Sequence, residues 1–225
     1  SSFAVRGRAY AMEEFDMPAL PARRARRWPF ASAILLLLAL AAWQLGGAAW
    51  IHAKAAVAQH LIASAWKGTK EDGARRPWPW ADTRPVARLT VPSRGISLYV
   101  LAGTSGRSLA FGPGHVDGTA LPGTPGNSVI VAHRDTHFAF LRNLREDEEI
   151  TVEDTRGRLT RYRVREVAVV DKSQTRLLDP ADSPQLTLIT CWPFDAVEPG
   201  GPWRYVVEAR LAGSAAAGTG PNYLE

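Results

Sequence analysis

Three residue types stand where chemistry could be done. Cys191, the one cysteine of the chain, closes the β-branched run Leu186-Thr187-Leu188-Ile189-Thr190-Cys191 and directly precedes Trp192-Pro193. A thiol at a strand end sits on a rigid scaffold and opens onto a loop, which suits a nucleophile. The plain alternative is a buried apolar cysteine, the commoner fate of a lone cysteine. His133 ends a second run, Val129-Ile130-Val131-Ala132-His133, before the polar loop Arg134-Asp135-Thr136-His137-Phe138. Imidazole, with an ordinary pKa of about 6.5, could protonate a leaving amine. Without a partner it reads as a satisfied surface or core histidine. Arg204 lies in Trp203-Arg204-Tyr205-Val206-Val207, after a turn-rich stretch at 197–202 (VEPGGP) able to return the chain antiparallel. A guanidinium beside Cys191 would favour the thiolate and stabilise a developing oxyanion. An exposed strand arginine is the plain alternative.

Other chemistries fit less well. His133 and His137 have the H-x₃-H spacing of zinc hydrolase helices, but Arg134 stands where such sites carry Glu, and the segment ends a strand. A phosphatase Cys-x₅-Arg loop would need arginine where Val197 stands. One cysteine excludes an intrachain disulfide framework, a cysteine zinc site and an iron–sulfur cluster. No metal and no cofactor is expected. The acidic run at 146–149 reads as a solvated loop rather than a calcium site.

The elements that must position these residues are short. β-like runs separated by Gly, Pro and Asp turns occur at 86–91, 96–102, 127–132, 149–154, 158–170, 185–191 and 203–211, with a short helical piece at 138–143. So many short strands with almost no helix indicate an all-β barrel or sandwich. A hydrophobic fraction of 46% with 22% charged residues excludes global disorder. No internal repeat is visible.

The N-terminal part differs in kind. Residues 30–51 carry no formal charge and include Ile34-Leu35-Leu36-Leu37-Leu38. A helix of that length covers about 33 Å, against a hydrocarbon core of about 30 Å. Trp28 and Trp50 sit at its two ends, and Arg23, Arg24, Arg26 and Arg27 crowd ahead of it. The positive-inside rule then puts the N-terminus in the cytoplasm and the rest across the membrane. A cleaved signal peptide is the competing reading; Gly46-Gly47-Ala48-Ala49 keeps it open, while the length of the apolar run favours an uncleaved anchor. The chain has 27 Lys and Arg against 22 Asp and Glu, a net charge of +5, and the arginine cluster reads as a topology signal rather than a nucleic-acid patch. Met17 would make a natural start, with 1–16 as non-native or upstream sequence. Residues 49–67 are strong helix formers, and 68–80 (GTKEDGARRPWPW) is expected to be a non-helical connector.

The Cys191, His133 and Arg204 segments together resemble the sortase family. Thr187-Leu188-Ile189-Thr190-Cys191 matches that family's TLxTC motif, His133 its histidine, and Arg204 its arginine in the following strand. Phe111-Gly112-Pro113-Gly114-His115 and Pro125-Gly126-Asn127 resemble its loops ahead of the histidine strand. Pro77-Trp78-Pro79-Trp80-Ala81-Asp82, with the anchor, is most similar to the sortases of Gram-negative proteobacteria, class GN. Ala132 departs from the usual Gly before the histidine, and Glu146-Asp147-Glu148 from the usual Gly-Asp turn. L,D-transpeptidases share the residue types but place their cysteine in a Ser-His-Gly-Cys context absent here.

The resemblance implies an eight-stranded sortase-type β-barrel preceded by an N-terminal transmembrane helix. The implied boundaries are a cytoplasmic segment 1–29, an anchor 30–51, a helical or linker stalk 52–75, the catalytic barrel 76–212 and a flexible tail 213–225. It implies a cysteine transpeptidase acting on a protein with a C-terminal LPxTG-like sorting signal. Cys191 would form a thioacyl enzyme, His133 would act as general acid and base, and Arg204 would hold substrate and oxyanion. Thr190, His137 and Ala132 would border the substrate. The second substrate is an amine nucleophile of unspecified identity, the lipid contact runs through 30–51, and no nucleic acid is involved. The place is the bacterial inner membrane, with the catalytic domain extracytoplasmic. A non-catalytic membrane-anchored scaffold with a merely buried Cys191 is the alternative.

Overall fold

The structure is a computed structural model that describes residues 28–73, 75–198 and 200–213. The expectations for the Arg23–Arg27 cluster, the start at Met17 and the tail from 214 onward lie outside the described residues. The chain divides into two units, residues 1–49 and 50–225.

Helix α1 (Trp28–Asp72) runs through the unit boundary. In the first unit Ile34, Leu35, Leu36, Leu37, Leu38, Leu40 and Trp43 are all exposed. Five consecutive residues at 100° steps point in every direction around a helix, so this segment is apolar on all sides. Among the described residues no helix is long and apolar enough to cross a membrane. The side chains of residues 44–51, within the expected span, are not among those described.

In the second unit α1 becomes amphipathic. Ala58, Ile62, Ala65, Trp66 and Thr69 are buried in one helical stripe. The stripe lies on the β-domain: Trp66 meets Tyr99 at 6.2 Å between ring centroids, and Gln59 Nε2 donates to the Phe111 carbonyl at 2.6 Å. The helix passes the expected break at Gly68 and continues to Asp72. Gly68 alone weakens a helix by only about 1 kcal/mol, and Thr69 Oγ1 bonds back to the Ala65 carbonyl at 2.8 Å. The helix ends at Gly73, whose backbone takes a φ of 90° and whose N–H bonds the Thr69 carbonyl at 3.2 Å.

Eight strands follow: β1 (Pro85–Val91), β2 (Ile96–Ala102), β3 (Gly114–His115), β4 (Asn127–Val131), β5 (Glu149–Asp154), β6 (Leu159–Asp171), β7 (Gln185–Cys191) and β8 (Trp203–Leu211). They close into a barrel in the order β1-β2-β3-β4-β7-β8-β6-β5. The pairs β2/β3 and β4/β7 are parallel and the rest antiparallel. Seven strands coincide with the β-like runs of the sequence. The eighth, β3, is two residues of Gly and His with no β signature. It is drawn in because a Cβ at Gly114 would run into the Gly103 carbonyl, so only glycine permits the approach.

Alternation sorts the side chains into two layers. Ala87, Leu89, Val100, Ile130, Ile150, Tyr162, Leu186, Leu188, Val207 and Ala209 fill the barrel interior. Their neighbours Val129, Ile189, Val206 and Val170 face the other way and pack with Leu177 of the 3₁₀ turn η3 (Thr175–Leu178). This outer layer lies over β4, β7, β8 and β6.

The acidic run 146–149 is partly tied down. Glu148 accepts from Ser93 Oγ, the Arg145 N–H and Arg94, the last at 2.7 Å, and Asp147 pairs with Arg165 at 3.2 Å. Desolvation opposes ionisation of Glu148, but the bonds from Arg94, Arg145 and Ser93 prevail and hold its pKa below the ordinary value.

Candidate active site

Strand direction brings the three sequence candidates to one end of the barrel. β7 and β4 run parallel and finish there, β8 starts there, and β6 ends there. Cys191 and Arg204 are direct Cα partners across β7 and β8. Val131 pairs with Ile189, so two residues further His133 is level with Cys191. The tie is carried past the end of β4 by the Ala132 N–H to the Ile189 carbonyl at 3.3 Å and by Thr190 Oγ1 to the Ala132 carbonyl at 2.7 Å.

The faces agree as well. Counting in twos from Ile189, Val206 and Val131 places Cys191, Arg204 and His133 on the outer layer. The three thus share an end and a face, above an apolar floor of Val129, Val131, Ala168 and Ile189. Cys191 is partly exposed, as is Arg204, and His133 is exposed. A nucleophile needs that access, and it removes the fully buried structural thiol from consideration.

The guanidinium of Arg204 is held by backbone: Nη1 donates to the Gly201 carbonyl at 3.0 Å and to the Trp203 carbonyl at 2.9 Å. The β7–β8 loop therefore fixes its orientation. The Trp192 N–H bonds the Trp203 carbonyl at 3.1 Å, which continues the β7–β8 pairing one step beyond Cys191.

Thr190 and Ala132, expected beside the substrate, have buried side chains and serve in the tie between β7 and the end of β4. His137 lies in the turn after His133 and is half-buried beside the backbone of Ala110. Burial pushes its pKa below 6.5, reinforced by the nearby charge of His133 and opposed by Ala110 and Asp135. Among the described residues no group of three or more His, Cys, Asp and Glu is placed to hold a metal ion.

Two features of the site were not anticipated from sequence. On the inner face at the same end, Trp192 stacks on Tyr205 at 5.7 Å, Phe194 meets Tyr205 edge-on at 5.0 Å, and Arg142 covers Phe194 at 4.8 Å. With Asp195 they line a pocket of about 420 Å³. The second is Arg134, which is 8% exposed and donates through Nη2 to the carbonyls of Ala196 and Glu198, at 2.8 and 2.7 Å. The sequence carried no sign of the Arg134 bonds, since their partners lie more than 60 residues away. A separate cavity of about 730 Å³, lined by Arg84, Asp154 and Arg158 among others, sits at the opposite barrel end and is remote from Cys191.

Comparison with known proteins gives a consistent picture. Residues 89–212 match the model of the sortase domain. Sortase D of Bacillus subtilis is 29% identical over 120 residues, which is 53% of this chain and 60% of that protein. Sortase A from Corynebacterium diphtheriae superposes with a TM-score of 0.53 at 31% identity, covering 64% of this chain and 65% of that one. The sortase D5 transpeptidase of Clostridium perfringens superposes with a TM-score of 0.53 at 26% identity, over 67% and 89% of the two chains. The chain thus spans less than two thirds of the length of the curated relative it matches.

Proposed function

From the premise that this chain belongs to the sortase family, we propose that it is a membrane-anchored cysteine transpeptidase that cleaves an LPxTG-like sorting signal and passes the product to an amine. The observation that carries this reading is the pairing of Cys191 with Arg204, with His133 level beside them on the same face.

In the proposed reaction the Cys191 thiolate adds to the carbonyl carbon of the threonine in the sorting signal. The oxyanion that forms is met by the Arg204 guanidinium, whose orientation is held by the Gly201 and Trp203 carbonyls. Collapse breaks the Thr–Gly C–N bond, and His133 gives its proton to the leaving amine. The result is a thioester on Cys191. An incoming amine then loses a proton to His133 as it attacks, and the thiolate leaves. Two low barriers replace one high one.

His137, half-buried next to His133, is proposed to border the substrate rather than to transfer protons. Residues 30–51 are proposed as the anchor, supported by the apolar side chains exposed all round between Ile34 and Trp43. Such a sleeve has no partner in water but matches a lipid interior. By the charge bias ahead of it, the barrel lies on the outer face of the inner membrane. Assignment to class GN rests on Pro77-Trp78-Pro79-Trp80-Ala81-Asp82 together with that anchor.

The test is mass spectrometry of the intact protein after incubation with a library of sorting peptides. A mass increase on Cys191 equal to the peptide up to its threonine is expected, lost on adding an amine. No adduct with any peptide, together with slow alkylation of Cys191, would favour the scaffold reading.

A further inference from the structure

Residues 192–202 are the one link between the strand of Cys191 and the strand of Arg204. Backbone pairing holds this loop at both ends, through the Trp192 N–H to the Trp203 carbonyl and the Lys172 N–H to the Pro202 carbonyl. Phe194 anchors its first part in the aromatic cluster. Its next part, Ala196 to Glu198, is gripped from outside by Arg134, the residue directly after His133.

The grip has an unusual composition. Arg134 is a charged side chain nine-tenths buried, yet among the described residues its bonds run to two carbonyl oxygens and to no carboxylate. Burying a guanidinium on neutral partners costs desolvation that no counter-charge repays, so this arginine is a poor choice for stability alone. What it connects is specific. Cys191 and Arg204 are already set by the β7–β8 register. His133 lies past the end of β4 and is held by the turn bond from the Phe138 N–H to its carbonyl. One guanidinium nitrogen of the adjacent residue, donating to two carbonyls of the Cys191–Arg204 loop, supplies the missing third side of the triangle.

We propose that Arg134 is a positioning residue, which locks the His133 turn to the β7–β8 loop and so sets the proton donor against the nucleophile. The role rests on the transpeptidase reading above. It predicts an effect on the acylation step rather than on peptide binding, because the sorting peptide would lie on the outer face while Arg134 is buried beneath the loop.

The experiment compares wild type, Arg134→Met and Arg134→Lys. Met keeps the buried aliphatic volume and removes the donors, so the fold should survive. Two quantities are measured: single-turnover acylation by a fluorogenic sorting peptide, and amide hydrogen exchange of the stretch 192–203. For Arg134→Met, acylation should slow about 10–10²-fold, as expected for a misplaced reacting group, with half-saturation changed less than about twofold. Exchange in the loop should rise about tenfold or more. Arg134→Lys should recover part of both, since an ammonium can donate to both carbonyls but not through a rigid plane.

Unchanged exchange in Arg134→Met would overturn the clamp. Faster exchange with an unaltered acylation rate would overturn the positioning role, as would a change confined to half-saturation. If wild type acylates with no peptide, the parent reading fails and takes the positioning role with it, while exchange still decides the clamp.

Discussion

Single side chains at the strand ends set the first expectations. Cys191 is partly exposed and paired opposite Arg204, so Cys191→Ala should abolish both peptide cleavage and aminolysis while the far-UV spectrum stays that of the barrel. Cys191→Ser should be nearly as inactive, because an alcohol is far less ionised than a thiol. Retained turnover in either would point away from a thiol nucleophile. His133→Ala should slow acylation about 10²–10⁴-fold, the usual worth of general acid–base help. His137→Ala, by contrast, should act mainly on binding. Arg204→Lys keeps the charge but loses the planar guanidinium whose Nη1 donates to the Gly201 and Trp203 carbonyls. It should remain about 10²–10³-fold impaired, the loss typical of one oxyanion donor. A fully active lysine variant would leave charge alone as the requirement.

His137 also gives a pH signature. Burial lowers its pKa from the ordinary 6.5, so below that pH the unfolded chain takes up the proton more readily than the folded one. Stability from this group is complete above about 6.5 and is lost as pH falls through the depressed folded value. Melting from about pH 7.5 to about pH 5 should therefore cost wild type more in Tm than His137→Gln. Equal losses would remove His137 from the account.

Between elements, the decisive link is a buried chain of hydrogen bonds across β4, β7 and η3. Thr187 Oγ1 donates to Asn127 Oδ1 at 2.8 Å, and Asn127 Nδ2 donates to the Leu177 carbonyl at 2.9 Å. Both side chains are buried. Thr187→Val leaves the Asn127 oxygen without that donor, which should destabilise the fold by about 1–3 kcal/mol in urea unfolding. Because backbone register is untouched, the alkylation rate of Cys191 should stay within about twofold of wild type at temperatures where the variant is folded. A large change in Cys191 reactivity would mean that the Thr187 bond, and not the ladder, places the site. This element-level view also explains where local reading of the chain stopped. The runs that became β4, β7 and β8 are short, carry β-branched side chains and lie between turn residues, so they are visible one at a time. β3 carries neither signal and exists because Gly114 lets two backbones close. Helix α1 outran its expected end because Gly68 is a weak breaker beside Ala65 and Trp66, which are buried against the barrel.

For the whole molecule, the question is where the barrel sits. On the reading proposed above, the apolar side chains exposed between Ile34 and Trp43 belong to the anchor and the barrel lies outside the membrane. A reporter that works only after export, fused after Ala212, should be active, and one that works only in the cytoplasm should be silent. The reverse pattern would overturn the topology and with it the role proposed for residues 30–51.

The sequence by itself singled out Cys191, His133 and Arg204 as candidates, the strands that carry them, and the family motif around the cysteine. These are local facts, written in side-chain type and in the turn residues that bound each run within a few positions. The tertiary structure alone decided that the three share one end and one face of the barrel. That outcome depends on register between β4 and β7, whose tie from Thr190 to Ala132 spans 58 residues. A slip of one residue would have turned Cys191 or His133 to the barrel interior. The clamp from Arg134 to Ala196 and Glu198, and the stack of Trp192 on Tyr205, are of the same kind. Each joins groups whose partnership has no local signature, because it arises only when the barrel closes.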